Sequence, residues 1–518
     1  MFQPRASLTS VAAFLAVLGT QALSQTVTIQ TVDGNISLTG TIRSFDGENY
    51  DFESLLGRMS IPTAAVICLG EACPVIDDGK LNAAVAVVDR PSKALLNGLV
   101  GAFAANNDLV ATPNADGLDV SSFSVTDGED EEPGELTVTE ANQRDAFLSL
   151  LEGETQVVFS TVPVSNALAD EFVAAGFPDL REPGREIVVA LDAIVPSVHP
   201  SNTVRDLSSP TIGRIAAGRV SNWSELGGPD LPIRMIMPAD DTSIATVFNE
   251  RILRPNRLRL SRSIERVANE AEAAAIVAED PSAITLTSAA LSGGTKPLPI
   301  RESCGPLSIP TDFAIKAEEY PLARRVLMYT SGAELSQSVK ELLAFAGSTE
   351  AQTQYIDAGF FGQTVETVPM TLQGTRLASA ILQTDTAEGF EATRSLTQQL
   401  TLADRLSTTF RFEAGSTELD NKSRRDAVRV AEYLMRPENA QREVLLYGFT
   451  DSLGRNDLNQ LLSLRQAVGI SEAIVNASSG QISQDRIVVT SFGSIAPVGC
   501  NDTAEGRYSN RRVEVWLR

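Results

Sequence analysis

In 518 residues there is a single histidine, His199. A histidine-based catalytic triad or a multi-histidine metal site is therefore excluded unless carboxylates or cysteines fill every role. His199 sits in Val198-His199-Pro200 and reads as a packed loop residue. Glycine-rich loops of the nucleotide-binding kinds are absent too. No catalytic residue, metal or cofactor is expected, and the chain reads as a binding or structural protein. A basic surplus is also lacking, since the formal net charge is −24. Nucleic acid needs a basic face to neutralise its phosphates, so it is not expected as a partner. The negative excess lies upstream of residue 401, because residues 401–518 hold equal numbers of basic and acidic side chains. That shift places a domain boundary near residue 400. The acidic run Asp127–Glu135 reads as a solvated surface loop.

Long apolar runs are missing after the N-terminus. There, Arg5 precedes the run Val11–Leu18, and Ala22-Leu23-Ser24 supplies small residues before a cleavage point. The pattern predicts a cleaved secretory signal over residues 1–24, with Gln25 first in the mature chain and the protein delivered to the periplasm. The run falls short of the roughly 20 residues a bilayer span needs. No cysteine follows the cleavage point to carry a lipid anchor. Four cysteines suit an oxidising compartment. Cys68 and Cys73 are close enough to close a small loop, worth about 2 kcal/mol in the chain-entropy model. Cys304 and Cys500 fall in different proposed domains and either pair or stay free and buried.

Length alone suggests about three domains. From Val27 to Pro74 apolar residues alternate (Val27, Ile29, Ile36, Leu38, Ile42, Tyr50, Phe52) and are broken by Asp33-Gly34 and Asp46-Gly47. Period-two alternation with Asp-Gly turns predicts a small β-rich domain over 25–78. Between 79 and 368 short β-rich runs alternate with amphipathic helices, as in a parallel sheet covered on both faces. Val85–Val88, Thr155–Ser160, Glu186–Leu191 and Ile194–Val198 read as strands, and Lys93–Ala105 as a helix. A second helix is predicted with Ser209 as cap, Pro210 in its first turn and Gly218 at its end. Trp223 is expected to pack on the neighbouring lobe. Residues 369–400 read as a helical linker, and 401–518 as a last domain.

Two blocks carry family resemblances. Glu186–Val198, then Gly218-Arg219-Val220-Ser221-Asn222-Trp223-Ser224-Glu225-Leu226-Gly227-Gly228, then Glu319-Tyr320-Pro321-Leu322-Ala323-Arg324-Arg325, resemble the periplasmic phosphate-binding receptors of ABC transporters. The resemblance implies two α/β lobes over 79–368 that close on a ligand, phosphate or another small oxyanion, with an ABC transporter or envelope proteins as partners. Such receptors hold anions at helix N-termini with short hydroxyl side chains. The matching positions are Arg90 and Ser92 after the opening strand, Ser160 and Thr161 after a later one, and Thr242 and Ser243 at a helix start. The family's arginine ahead of that last turn is missing, since Met237-Pro238-Ala239-Asp240-Asp241 stands there. Arg90 is the candidate replacement. An intact scaffold with a lost cation leaves two alternatives: a solute receptor, or a domain that no longer binds solute and contacts proteins instead.

Gly448-Phe449-Thr450-Asp451, then Asn459, Ser463 and Arg465, then Asn510-Arg511-Arg512-Val513-Glu514, resemble an OmpA-like peptidoglycan-binding domain. The resemblance implies an α+β sandwich that anchors the protein non-covalently to the cell wall, at or near the outer membrane. The diaminopimelate stem peptide offers an ammonium and a carboxylate, so its site needs an acid and a guanidinium. Thr450 and Asp451 match the acid end, Asn459 holds the loop and Arg511 braces the site. In Leu462-Ser463-Leu464-Arg465-Gln466-Ala467 the family's arginine position holds Gln466, and Arg465 comes one residue earlier. One residue is about 100° around a helix, so Arg465 would have to swing back.

Overall fold

The structure, a computed structural model, describes residues 26–31, 37–46, 49–70, 72–74, 80–115, 120–127, 133–239, 242–332, 335–384 and 386–518. The expected signal segment, the Asp33-Gly34 turn, Gly47, residues 128–132 of the acidic run and Asp240-Asp241 lie outside them. The chain forms two compact units, Met1–Asp78 and Gly79–Arg518.

The first unit is an antiparallel sheet of β1 (Val27–Thr31), β2 (Ser37–Phe45), β3 (Asn49–Ser54), β4 (Gly57–Pro62) and β5 (Val66–Leu69), in the order β4-β3-β2-β1-β5. Alternation puts Val27, Ile29, Tyr50 and Phe52 on its buried face. Cys68 on β5 is bonded to Cys73, with Cα atoms 5.7 Å apart.

The second unit opens with β6 (Ala83–Val87) and α1 (Arg90–Asn106). The helix starts three residues before the predicted Lys93, because Asp89 caps it and Pro91 suits its first turn. Then follow β7 (Val110–Pro113), β8 (Ser122–Thr126), β9 (Gly134–Glu140), α2 (Gln143–Leu151), β10 (Val157–Ser160), α3 (Asn166–Ala174) and β11 (Glu186–Val198). The second lobe holds β12 (Leu207–Ser208), α4 (Ser209–Ala216), β13 (Arg234–Pro238), α5 (Ser243–Phe248), β14 (Glu265–Val267), α6 (Glu270–Glu279), β15 (Ala283–Ser288), β16 (Lys296–Pro297), β17 (Ile300–Arg301), β18 (Leu307–Ser308) and α7 (Asp312–Lys316). The chain returns to the first lobe through β19 (Ala323–Tyr329), α8 (Gln337–Ala346) and α9 (Thr349–Asp357).

One path of strands, β14-β13-β15-β11-β19-β10-β6-β9-β8-β7, runs through both lobes. Its joint is β11, which is one strand of 13 residues and not the two expected. Glu186–Ala193 pair with β19, and Ile194–Val198 pair with β15. Asp192 made the run look interrupted, but it is fully buried against Arg324. In α4 the cap is Ser208, whose side chain accepts from the Thr211 amide, so Ser209 is the first helical residue. Gly218 does take the left-handed conformation that ends the helix, with φ of 67°. Trp223 donates its indole N–H to Ser282 O just before β15, so it anchors in its own lobe and not on the neighbour.

The last part is a sheet in the order β20-β21-β24-β22-β23. Its elements in sequence are β20 (Thr367–Pro369), α10 (Gly374–Leu382), α11 (Ala387–Leu400), β21 (Asp404–Arg411), α12 (Asn421–Met435), β22 (Val444–Phe449), α13 (Asn456–Ala477), β23 (Ile487–Gly493), α14 (Ala504–Asn510) and β24 (Arg512–Leu517). Helices α12 and α13 bury Val430, Leu434, Ile470 and Ile474 against one face. Ala380, Leu396 and Leu400 pack on Tyr447 and Trp516 on the other. Within the stretch read as a linker, α10 and α11 thus cover the second face of the sheet. Burial on both faces explains why Val444–Phe449 is an unbroken apolar run. Gly448 is required where α13 crosses β22, because a Cβ there would sit 2.2 Å from Ser463 O.

Candidate binding sites

The cleft between the lobes is built around Asp89, the cap of α1. One carboxylate oxygen accepts from the Ser92 amide at 2.9 Å. The other accepts from the Thr161 amide at 3.1 Å and the Thr161 hydroxyl at 2.6 Å. These are donors that an oxyanion would use, and they are already taken by a buried carboxylate. Ser160 turns back on its own chain, its hydroxyl donating to Val162 O at 2.7 Å. Thr242 caps α5, and Ser243 Oγ accepts from Arg324 at 3.2 Å.

A cavity of about 270 Å³ at this point is lined by Asp89, Arg90, Glu140, Thr242 and Glu270. Arg90, the candidate cation, pairs with Glu140 at 3.4 Å, and Lys93 reaches the same carboxylate. The deeply buried cation is Arg324 instead, which holds Asp192 at 2.7 Å. Glu270 starts α6 and is 2% exposed. Burial, with Asp89 and Asp192 nearby, pushes its carboxyl up to about 8 despite the pull of Arg324. Arg324 belongs to a quoted resemblance block, but its role depends on Asp192, which lies 132 residues away. The only signal in the sequence was an arginine pair beginning an apolar strand.

In the C-terminal domain the loop after β22 carries Thr450 and Asp451, both buried. Asp451 pairs with Arg511 at 2.7 Å, and Arg511 Nε also donates to Phe412 O. Asn459 donates to Leu453 O at 3.0 Å and ties the loop to α13. Gln466 is buried and donates to Ser416 O at 2.7 Å, while its carbonyl oxygen has no partner among the described residues. Thr450 Oγ1 is likewise buried without one. Arg465 is exposed on α13 and is not brought to this group.

The two-lobed part and the C-terminal part share an extensive interface. Cys304 is bonded to Cys500, which decides the pairing that the sequence left open. Arg405 pairs with Glu319 at 2.5 Å, and Arg411 donates to Ala317 O and Glu318 O. Arg325 bridges Glu318 and Asp420, the cap of α12, at 2.7 Å each. Burial pushes the Glu318 carboxyl up, but Arg325, Lys422 and Arg411 outweigh it and hold it at about 2.

Comparison with known families fits this architecture. A PBP superfamily domain model matches residues 126–350 and an OmpA family model matches residues 411–511. The chain therefore joins a phosphate-receptor-like domain to an OmpA-family domain. Phosphate-binding protein PstS of Borreliella burgdorferi is 22% identical over 191 residues, covering 36% of this chain and 68% of that protein. Peptidoglycan-binding protein ArfA of Mycobacterium bovis is 34% identical over 87 residues, covering 17% of this chain and 25% of that protein. An ABC-type phosphate transport receptor from Vibrio cholerae, known as a crystal structure, covers 54% of this chain and 99% of its own at 14% identity, with a TM-score of 0.39. The chain spans 25–36% of the length of the OmpA-family relatives it matches. Both families are binding proteins, and OmpA-family relatives are proteins of the cell envelope. No described helix is long and apolar enough to cross a membrane.

Proposed function

We propose that this protein docks on peptidoglycan through its OmpA-family domain and holds there a receptor-like domain whose oxyanion position is filled from within. It is a periplasmic, non-enzymatic protein whose receptor part contacts other envelope proteins and takes no phosphate. The observation that carries this is Asp89, which takes the Ser92 and Thr161 donors. A phosphate dianion would have to displace that carboxylate. The wall-binding part rests on the OmpA-family match and on Asp451, held by Arg511 and Asn459 at the family's acid position.

Calorimetry with phosphate and sulfate on the full chain tests the first part. The parent is expected to show no saturable heat at millimolar ligand. Asp89→Gly keeps a tolerated helix cap and vacates the site, and is expected to gain phosphate binding. Saturable phosphate binding by the parent would overturn the proposal. It would favour instead a wall-anchored receptor for phosphate or another small oxyanion, to which Arg324 beside the cleft also points. Retention on purified peptidoglycan tests the anchor. Asp451→Asn is expected to reduce it, and equal retention would remove Asp451 from the site.

A further inference from the structure

Two cavities, of about 260 and 490 Å³, lie along the seam between the second lobe and the OmpA-family domain. They share Arg251, Pro321, Glu505 and Ser509 in their walls, and so form one crevice. Its size is within the ordinary range for small-ligand sites, and both domains build it.

Acids dominate the walls of the smaller cavity, and in the larger Arg251, Arg324, Arg325 and Arg511 stand with Glu318, Glu413 and Glu505. The smaller cavity carries Glu302 from the lobe with Asp502 and Glu505 from the OmpA-family domain. One oxygen of Glu302 is buried with no partner among the described residues. Burial, and then the Asp502 and Glu505 carboxylates, push Glu302 up to about 7. At the junction Arg251 donates to the neutral carbonyls of Pro321 at 3.2 Å and Ala323 at 3.3 Å. In the larger cavity Tyr320 is 2% exposed, yet its hydroxyl has no partner among the described residues. Leaving such a group unsatisfied is destabilising, and a ligand at this point would relieve it.

We propose that the crevice binds a small zwitterion, with its ammonium among Glu302, Asp502 and Glu505 and its carboxylate against Arg251 and the Tyr320 hydroxyl. Both ends are then held by charge-assisted hydrogen bonds. An ammonium supplies a donor for the unpartnered oxygen of Glu302 and a positive charge between it and Asp502. A carboxylate gives Arg251 a charged acceptor in place of amide oxygens. Arg511, the partner of Asp451, also stands in the wall of the larger cavity, so the crevice adjoins the candidate wall-binding site. Because its walls come from two domains, occupancy also stabilises their contact by mass action.

Calorimetry on the full chain with dialanine and with diaminopimelate tests this, each probe also used with its amines acetylated or its carboxyls amidated. At least one free zwitterion is expected to bind saturably. Either block is expected to weaken it at least tenfold, as are Arg251→Gln and Glu302→Gln. Circular dichroism confirms that each variant is folded. If Arg251→Gln unfolds, the near-isosteric Glu302→Gln decides. No saturable binding of either zwitterion up to millimolar concentration, or equal binding of the blocked forms, would each overturn the proposal. Retained zwitterion binding with no retention on peptidoglycan would count against the wall anchor alone.

Discussion

A buried carboxylate must be hydrogen-bonded, paired or neutral, and this protein uses all three solutions at its candidate sites. Asp89 is hydrogen-bonded, Asp451 is paired with Arg511, and Glu270 is pushed towards neutrality at about 8. For Glu270 the folded value lies above the unfolded one. Its contribution to stability is therefore full below about pH 4.5 and is lost as pH rises through 8. The unfolding free energy of the parent is expected to fall from pH 5 to pH 9 relative to Glu270→Gln, by an amount on the order of a few kcal/mol, measured by urea unfolding at each pH. Parallel profiles would reject that. Removing one partner of a buried pair is costly, so Asp451→Ala is expected to destabilise by about 3 kcal/mol in urea unfolding, with Asp451→Asn milder. At this scale the sequence was informative where a residue acts within its own turn. Thr242 as a cap and Asn459 as a loop brace were both readable. Arg324, Asp192 and the pairing of Arg90 with Glu140 were not, since each depends on a partner more than 40 residues away.

Among the elements, β11 and the α10–α11 pair depart most from expectation. Periodicity finds an amphipathic helix but cannot name the surface it covers. Residues 374–400 therefore looked like a connector, although they bury Leu396 and Leu400 under Tyr447 and Trp516. Leu396→Ala is expected to lower the stability of the second unit by about 2–5 kcal/mol in chemical denaturation. A free linker would show no change. β11 was read as two strands on either side of Asp192, a charged residue that stays inside the strand because it pairs with Arg324. The small N-terminal sheet was legible because its strands are local hairpins of alternating sequence.

For the whole molecule, the main outcome is that the receptor-like and OmpA-family parts form one unit. Ion pairs at Arg325 and Arg405 and a disulfide spanning 196 residues of sequence tie them together. Loop-closure entropy grows with the logarithm of loop length, so the long bridge is the stronger constraint. Cys304→Ser is expected to cost up to about 5 kcal/mol, and loss of the Cys68–Cys73 bridge about 2 kcal/mol. Thermal melts of Cys304→Ser and Cys68→Ser check this, and an equal or reversed order would contradict it.

The sequence by itself determined the classes of the two larger domains, the β character of the N-terminal region, the exclusion of histidine chemistry and the position of Asp451. These follow from local patterns, turn residues and short blocks that do not need a fold to be read. Only the tertiary structure decided that Cys304 meets Cys500, that Arg324 is buried against Asp192 and that Asp89 accepts from Ser92 and Thr161. Each of those includes a contact between residues far apart in the chain. A sequence lists the charges available, and the fold selects which of them meet, because a buried charge must find a partner or be neutralised.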